Sequence, residues 1–211
     1  MLRHRTLLTG TAAGLAIALA VGSCRRNEAV ENPPETVSAV RLTAETFSPD
    51  RLPYEEAALI LAGTTYPVQL RRESKADGIH FLLLKGEEVL DREVYVLDED
   101  AFRIRIAAGV EYQPPIPLIE FGKRVGDEWS WRGHVVTGAE RQSAAASITT
   151  AEEDINLAGA YDRGVRIRAT LEIDGAGSAQ KLQKQMTFWF APRIGLLKRE
   201  FGTTSTRIPA P

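Results

Sequence analysis

Apolar and polar residues alternate along most of the chain from Tyr66 onward. Residues 102–106 read Phe-Arg-Ile-Arg-Ile, and residues 165–173 continue the same two-residue period over a longer run. Because successive side chains of a β-strand point to opposite faces, this pattern predicts strands with one buried and one solvated face. Turn-forming residues separate the runs, at 76–78, 85–87, 97–100, 138 and 175–177. The pattern therefore indicates many short strands joined by tight turns.

Closely spaced strands without a long helical pattern between them are typical of an antiparallel sheet. Such a sheet has to bury one of its faces, so we expect it to curve strongly into a half-barrel, a barrel or a sandwich. The predicted fold class is all-β, with at most one or two short helices. Each of the three shapes fits the pattern at this point.

Two segments allow more than one interpretation. Residues 53–63 begin with Pro53, carry Glu55 and Glu56 in what would be a first helical turn, and end at Gly63. These are marks of a short helix, although the length also fits a buried strand. Residues 79–86, Ile-His-Phe-Leu-Leu-Leu-Lys-Gly, are apolar on both faces of a strand. Either core covers both faces, or one face lines a cavity.

The N-terminus has the three-part order of a secretory signal. Arg3, His4 and Arg5 form a basic start, residues 7–21 are mostly apolar, and Gly22 and Ser23 are small. The apolar run is short for a membrane crossing, which needs about 20 predominantly apolar residues. An uncleaved membrane anchor is the alternative.

The single cysteine of the chain directly follows this run. Val21-Gly22-Ser23-Cys24 resembles the lipobox of bacterial lipoproteins. The resemblance implies lipidation of Cys24 with diacylglycerol, cleavage before it, and fatty acylation of the new amine. One acyl chain holds a protein at a membrane only marginally, whereas two or three anchor it stably. In enterobacteria an Asp after the cysteine retains lipoproteins at the inner membrane, so Arg25 implies the outer membrane, facing the periplasm.

The predicted organisation has three parts. Residues 1–23 are the lipoprotein signal peptide, 24–50 are the lipidated cysteine and a flexible polar tether, and 51–208 are a single β-domain. Cleavage leaves 188 residues with 24 Lys and Arg against 28 Asp and Glu, a formal net charge of −4. This balance argues against a nucleic-acid partner, which requires a basic stripe. With Cys24 lipidated, no thiol is left for disulfides or thiolate metal sites.

The mature chain carries no recognisable catalytic motif. His80 and His134 are its two histidines, and it has neither a Gly-x-Ser-x-Gly elbow nor a phosphate-binding loop. The acidic runs 98–100 and 152–154 lack the spacing of a calcium loop and are typical of solvated turns. We expect no enzyme activity, no catalytic residue, no metal and no cofactor.

Two rows of arginine suggest a weak candidate site. Arg103 with Arg105, and Arg166 with Arg168, occupy the polar faces of two predicted strands. If the two rows lay side by side, they would form a patch for an anion or a lipid headgroup. The alternative is that they are simply the solvated faces of strands.

The body of the chain resembles an uncharacterised family of bacterial envelope proteins, a domain of unknown function that includes TapB-like proteins. The resemblance rests on residues 114–133, "PPIPLIEFGKRVGDEWSWRG", residues 188–202, "FWFAPRIGLLKREFG", and the Ala-Gly-Ala-Tyr segment at 158–161. Leu157 and Arg193 depart from the family pattern, in which Pro and Gly are usual. The resemblance implies no catalytic residues.

These observations favour a membrane-anchored envelope lipoprotein whose non-catalytic β-domain binds an unidentified partner, such as an envelope protein, or supports an assembly. The alternative is a carrier or chaperone for a lipid or other apolar ligand in the periplasm, because a curved sheet with an apolar concave face suits such a ligand. An open, lined cavity would favour the carrier, and a filled interior would favour the interaction domain.

Overall fold

The computed structural model describes residues 40–44, 54–155, 163–175, 181–192, 194–202 and 204–207. The chain divides into two compact units, Met1–Glu35 and Thr36–Pro211, and every described residue belongs to the second. The predictions for the signal peptide, Cys24 and residues 25–39 lie outside the described residues. Within those residues, no helix combines the length and the apolar character that crossing a membrane requires.

The described residues form twelve β-strands, with the following bounds: β1 Tyr54–Leu61, β2 Thr64–Lys75, β3 Gly78–Lys85, β4 Glu88–Leu97, β5 Ala101–Ala107, β6 Val110–Glu120, β7 Glu128–Thr137, β8 Glu140–Glu153, β9 Gly164–Asp174, β10 Lys181–Ala191, β11 Gly195–Phe201 and β12 Thr204–Arg207. Strands that follow one another in the chain pair antiparallel, and the short β12 also pairs with β1. The order of hydrogen-bonded strands therefore closes into a barrel. The all-β, antiparallel prediction is confirmed.

The helical interpretation of residues 53–63 is wrong. Tyr54–Leu61 is a strand that pairs with β2 over its whole length. Ala57 and Leu59 are buried, whereas Ala58 and Ile60 are only partly buried. This alternation is the two-residue period of a strand. Ala62 and Gly63 have φ values of 48° and 82°, as in the two-residue turn of a hairpin. Gly63 therefore serves a hairpin turn and not the end of a helix.

Prolines make the contact between β6 and β7 irregular. Pro114, Pro115 and Pro117 have no N–H to donate, and the two strands pair only from 111 to 113. Beyond that point two indoles donate to β6 carbonyls: Trp131 Nε1 to Pro114 O at 2.9 Å and Trp129 Nε1 to Pro117 O at 2.8 Å. These tryptophans therefore bridge the two strands where the ladder stops.

The two ends of the barrel differ. We call distal the end that carries the turns leading from each odd-numbered strand to the next, and proximal the end that carries the other turns. The segment 40–44 lies at the proximal end, where Leu42 is fully buried. Leu42 N donates to Lys123 O at 2.9 Å, and Gly122 N donates to Leu42 O at the same distance. The folded domain therefore includes residues that the sequence assigned to the tether.

The barrel interior holds one contiguous cluster of buried side chains, to which all the strands from β1 to β11 contribute. Phe81 and Leu83 of β3 belong to this cluster, while Leu82 and Leu84, on the other face of the same strand, are buried as well. The apolar residues 81–84 are therefore buried on both faces of the strand.

Candidate functional site

The structure does not bring the four predicted arginines together. Arg103 and Arg105 lie on β5 and Arg166 and Arg168 on β9, with β6, β7 and β8 between the two strands. The expectation of two neighbouring rows does not hold, since similar sequence patterns occurred on strands that are far apart in the barrel.

Three of these arginines are engaged by carboxylates. Arg103 contacts Asp98 at 2.9 Å and Asp100 at 2.8 Å, and Arg166 contacts Glu153 at 2.7 Å. Arg105 pairs with Asp77 at 2.5 Å. An arginine whose charge is already matched attracts an external anion weakly, so these pairs favour the interpretation as solvated strand faces.

His80 belongs to the same network of side chains. It is buried, and its Nε2 lies 2.7 Å from Asp77 Oδ1. The hydrogen bonds of Asp77 with His80 and with Arg105 lower the pKa of Asp77 from 3.8 to about 2. His134 is partly exposed on β7, where Nδ1 contacts Arg141 at 3.2 Å. Within the described ranges, no three His, Cys, Asp or Glu side chains are grouped to hold a metal ion.

A buried ion pair crosses the barrel interior. Glu93 on β4 and Arg199 on β11 are each 1% exposed, and Arg199 Nε contacts Glu93 Oε1. Four strands separate β4 from β11 in one direction around the barrel and six in the other, so the pair joins opposite walls. Tyr95 Oη donates to Glu93 Oε2 at 2.7 Å. Burial raises the pKa of Glu93, and Arg199 and Tyr95 oppose that rise.

Other side chains also meet in the interior. Tyr112 on β6 donates its hydroxyl to Met186 Sδ on β10 at 3.4 Å, and the ring of Tyr95 stacks on that of Phe102 with centroids 5.1 Å apart. Burial, and to a lesser extent Glu93, raises the pKa of Tyr112. Packed rings and a charge pair therefore meet in the interior of the barrel.

A groove of about 460 Å³ opens at the distal end. Three hairpins contribute to it, β3–β4, β5–β6 and β7–β8, and its lining residues are Val89, Leu90, Asp91, Arg92, Ile106, Gly109, Glu111, Val136 and Gly138. Ile106, Glu111 and Val136 are successive cross-strand partners, so they share one face of the sheet. Tyr112 and Val135, the next pair along these strands, face the core, which places the row on the outer face.

The unequal lengths of the hairpins create this groove. β4 pairs with β5 only from Val94, whose partner is Ile106, two residues before the β5–β6 turn at Ala108 and Gly109. Residues 88–93 of β4 pair with β3 but, within the described part of the chain, with no strand on the other side. The β3–β4 hairpin therefore projects past its neighbour and leaves one strand edge open beside the groove.

The chemistry around the groove is apolar and acidic. Val89 and Leu90 are 51% and 39% exposed. Five carboxylates surround them, on Glu87, Glu88, Asp91, Glu111 and Glu140, against three basic side chains, on Lys85, Arg92 and Arg141. Among the described residues none of these five carboxylates forms an ion pair; Asp91 Oδ1 accepts the Arg92 backbone N–H at 2.8 Å. The groove therefore offers apolar contacts in a field of net negative charge.

Comparisons with known proteins give only distant likenesses. No known family profile matches the chain, and no curated protein sequence matches it significantly. A proposed exported protein with YmcC-like fold from Bacteroides fragilis is similar at 12% identity and a TM-score of 0.44, over 79% of this chain and 98% of the other. The hypothetical lipoprotein YmcC of Escherichia coli is similar at 12% identity and a TM-score of 0.41, over 80% and 94%. A proposed lipoprotein from Parabacteroides distasonis is similar at 9% identity and a TM-score of 0.40, over 78% and 96%.

Likenesses of this degree assign neither a family nor a function to the chain. The resemblances of residues 21–24 to a lipobox and of the body to TapB-like proteins stay predictions. The groove and the Glu93–Arg199 pair, by contrast, are features that the sequence did not reveal. A weak signal for the pair existed, because alternation around Tyr95 places Glu93 on the core-facing side of β4.

Proposed function

We propose that the chain is a lipid-anchored protein of the bacterial cell envelope and that its barrel is a non-catalytic binding domain. The observation that carries the anchor is Val21-Gly22-Ser23-Cys24 at the end of an apolar run. Diacylglycerol on Cys24 and a fatty acid such as palmitate on its amine would supply enough buried methylene groups for stable anchoring. Arg25 after the cysteine favours the outer membrane.

Two features support a binding domain over a carrier. A carrier for an apolar ligand needs a lined cavity, whereas in this barrel buried side chains of β1 to β11 pack into one contiguous interior cluster. The groove at the distal end instead exposes apolar side chains to solvent, as binding surfaces commonly do. The ligand of this domain therefore binds outside the barrel.

Metabolic labelling with a fatty acid tests the anchor. We expect the wild-type protein to incorporate the label, and Cys24→Ser to lose it and to keep its signal peptide. Ser23→Ala is the matched control, because alanine preserves the small residue before the cysteine and should keep the label. Label retained in Cys24→Ser, or lost equally in Ser23→Ala, contradicts lipidation at Cys24.

Fractionation of the two membranes tests the location. In an enterobacterial host we expect the labelled wild type in the outer-membrane fraction and Arg25→Asp in the inner-membrane fraction. Arg25→Ser controls for loss of the basic charge alone and should stay with the wild type. A wild type found in the inner membrane would contradict the outer-membrane location while leaving the anchor intact.

A further inference from the structure

We propose that the open edge of β4, residues 88–93, binds an extended segment of a partner protein that carries alternating apolar and basic side chains. This inference rests on the proposed binding function and assigns it a site and a partner chemistry. The bound segment would add a strand to the sheet within the groove, and its side chains would contact the groove walls.

The backbone of β4 supplies the first argument. An unpaired strand edge presents N–H and C=O groups that can pair with another chain, and proteins usually cover or blunt such edges. Here the Arg92 N–H is turned to the carboxylate of its neighbour Asp91, at 2.8 Å, rather than to β3. A partner carbonyl could replace that carboxylate, so the edge is closed only by a side chain that can move away.

The walls of the groove supply the second argument. Val89 on β4, Ile106 on β5 and Val136 on β7 line it with apolar side chains. A strand lying along β4 directs alternate side chains to one face, so every second residue of the partner would reach this apolar surface. The partner segment therefore needs apolar residues at every other position.

Charge supplies the third argument. The carboxylates of Glu87, Glu88, Asp91, Glu111 and Glu140 outnumber the nearby basic groups five to three, and they have no ion pair among the described residues. Ion pairs at the proximal end engage Asp77, Asp98 and Asp100 with arginines. The rim of the groove thus carries a local excess of carboxylates over basic groups, which complements Lys or Arg in the partner.

The test measures binding of a short, fluorophore-labelled peptide of alternating Lys and Val to the mature, lipid-carrying protein in detergent micelles, by fluorescence anisotropy. An alternating Glu and Val peptide is the control for charge. We expect the Lys and Val peptide to bind and the Glu and Val peptide to bind at least about tenfold more weakly. Added salt should weaken binding of the Lys and Val peptide.

Variants of the edge separate strand addition from simple attraction. Arg92→Pro removes an N–H that β3 does not use, so the strand should still form, as proline is tolerated at sheet edges. We expect it to weaken peptide binding by about tenfold, because the donor is lost and the proline ring blocks close approach. Arg92→Ala keeps the N–H and removes the same side chain, and should bind at least as well as the wild type.

A second pair of variants does not depend on proline being accommodated. Val89→Arg adds a positive charge to the groove and should weaken binding of the Lys and Val peptide by about tenfold or more. Leu182→Arg is its matched control, because Leu182 is similarly exposed, 54% against 51%, at the distal end but outside the groove. It should bind the peptide within about twofold of the wild type.

Several outcomes overturn the proposal. These are no binding of the Lys and Val peptide to the wild type, equal losses in Val89→Arg and Leu182→Arg, or equal affinities of folded Arg92→Pro and Arg92→Ala. Capture of phosphatidylglycerol vesicles through Val89, without peptide binding, would assign the groove to a membrane instead. Fatty-acid label on Cys24 is read on the same preparation, so failure of the anchor and failure of the groove are scored separately.

Discussion

The Glu93–Arg199 pair gives the sharpest test of the barrel interior. The perturbation is Arg199→Met, which keeps an apolar stem of similar length and removes the positive charge. Both partners are 1% exposed, so water cannot replace the lost contact. Glu93 would keep only the hydrogen bond that Tyr95 donates at 2.7 Å. The variant therefore leaves a carboxylate buried between opposite walls of the barrel.

Breaking a buried pair in this way typically costs about 3–5 kcal/mol, because the remaining charge has no compensation. Replacing both charges is much less costly, since the desolvation of two ions is avoided. The double variant Glu93→Gln with Arg199→Met keeps an acceptor for Tyr95 and carries no charge. We expect it to recover at least about 2 kcal/mol of the loss in the single variant.

The pH dependence of Arg199→Met follows from the pKa of Glu93. Burial already raises this pKa above 4.5, and removing Arg199, which lowers it, raises it further. A group whose pKa is raised on folding contributes stability below its unfolded value, and that contribution is lost as pH rises through the folded value. The single variant should therefore lose stability as pH rises above 4.5. The double variant has no carboxyl at this position, so its stability should not show this dependence on pH.

Urea unfolding followed by tryptophan fluorescence, at several pH values, measures the stability of the wild type, Glu93→Gln, Arg199→Met and the double variant. If Arg199→Met lowers the free energy of unfolding by less than about 1 kcal/mol at neutral pH, the buried pair is refuted. A single and a double variant with the same pH profile would show that Glu93 is not the group that titrates. Either result would contradict a stabilising ion pair between β4 and β11.

Two further predictions concern packing at the proximal part of the barrel. Trp129→Ala, in the interior cluster, and Trp189→Ala, in a second buried cluster with Ile155, Ala191 and Leu197, should each destabilise by about 3–5 kcal/mol in urea melts, since both side chains are 8% exposed. Unchanged midpoints would contradict their burial. A chain beginning at Val40 should be more stable than one beginning at Asp50 by about 2 kcal/mol or more, because only the first retains the buried Leu42; equal melting midpoints would contradict its docking on Lys123.

The two-residue period predicted the architecture well because each strand has one face on the core. In β9, Ile167, Ala169, Leu171 and Ile173 are all buried while Arg168 and Glu172 are exposed, as the alternation requires. The pattern of segment 53–63 is ambiguous because its charge and proline placement suit the start of a helix as well as a strand of a β-hairpin. Pairing with β2 over eight residues decides between them, and such pairing is tertiary information.

The candidate site was out of reach of the sequence for a different reason. Glu93 finds Arg199 only because β4 and β11 face each other across the barrel, 106 positions apart in the chain. The groove exists because β5 turns back at Ala108 while β3 and β4 continue, a register that a bulge between Val94 and Tyr95 helps to set. Local patterns identify strands, whereas register and closure decide which side chains meet.

Most of the exposed large apolar side chains in the described part of the chain lie at one end of the barrel. Of the seven large apolar residues that the described ranges expose, five lie toward the distal turns: Leu61, Tyr66, Val89, Leu90 and Leu182. Among the described residues the five carboxylates beside the groove form no ion pair, whereas at the other end arginines engage Asp77, Asp98 and Asp100, though not Glu99, Glu128 or Asp154. Buried side chains and a charge pair meet in the barrel interior, so we place the proposed binding function at this distal rim. The open edge of β4 is the place on that rim where backbone hydrogen bonds, apolar contacts and charge can act on one partner together.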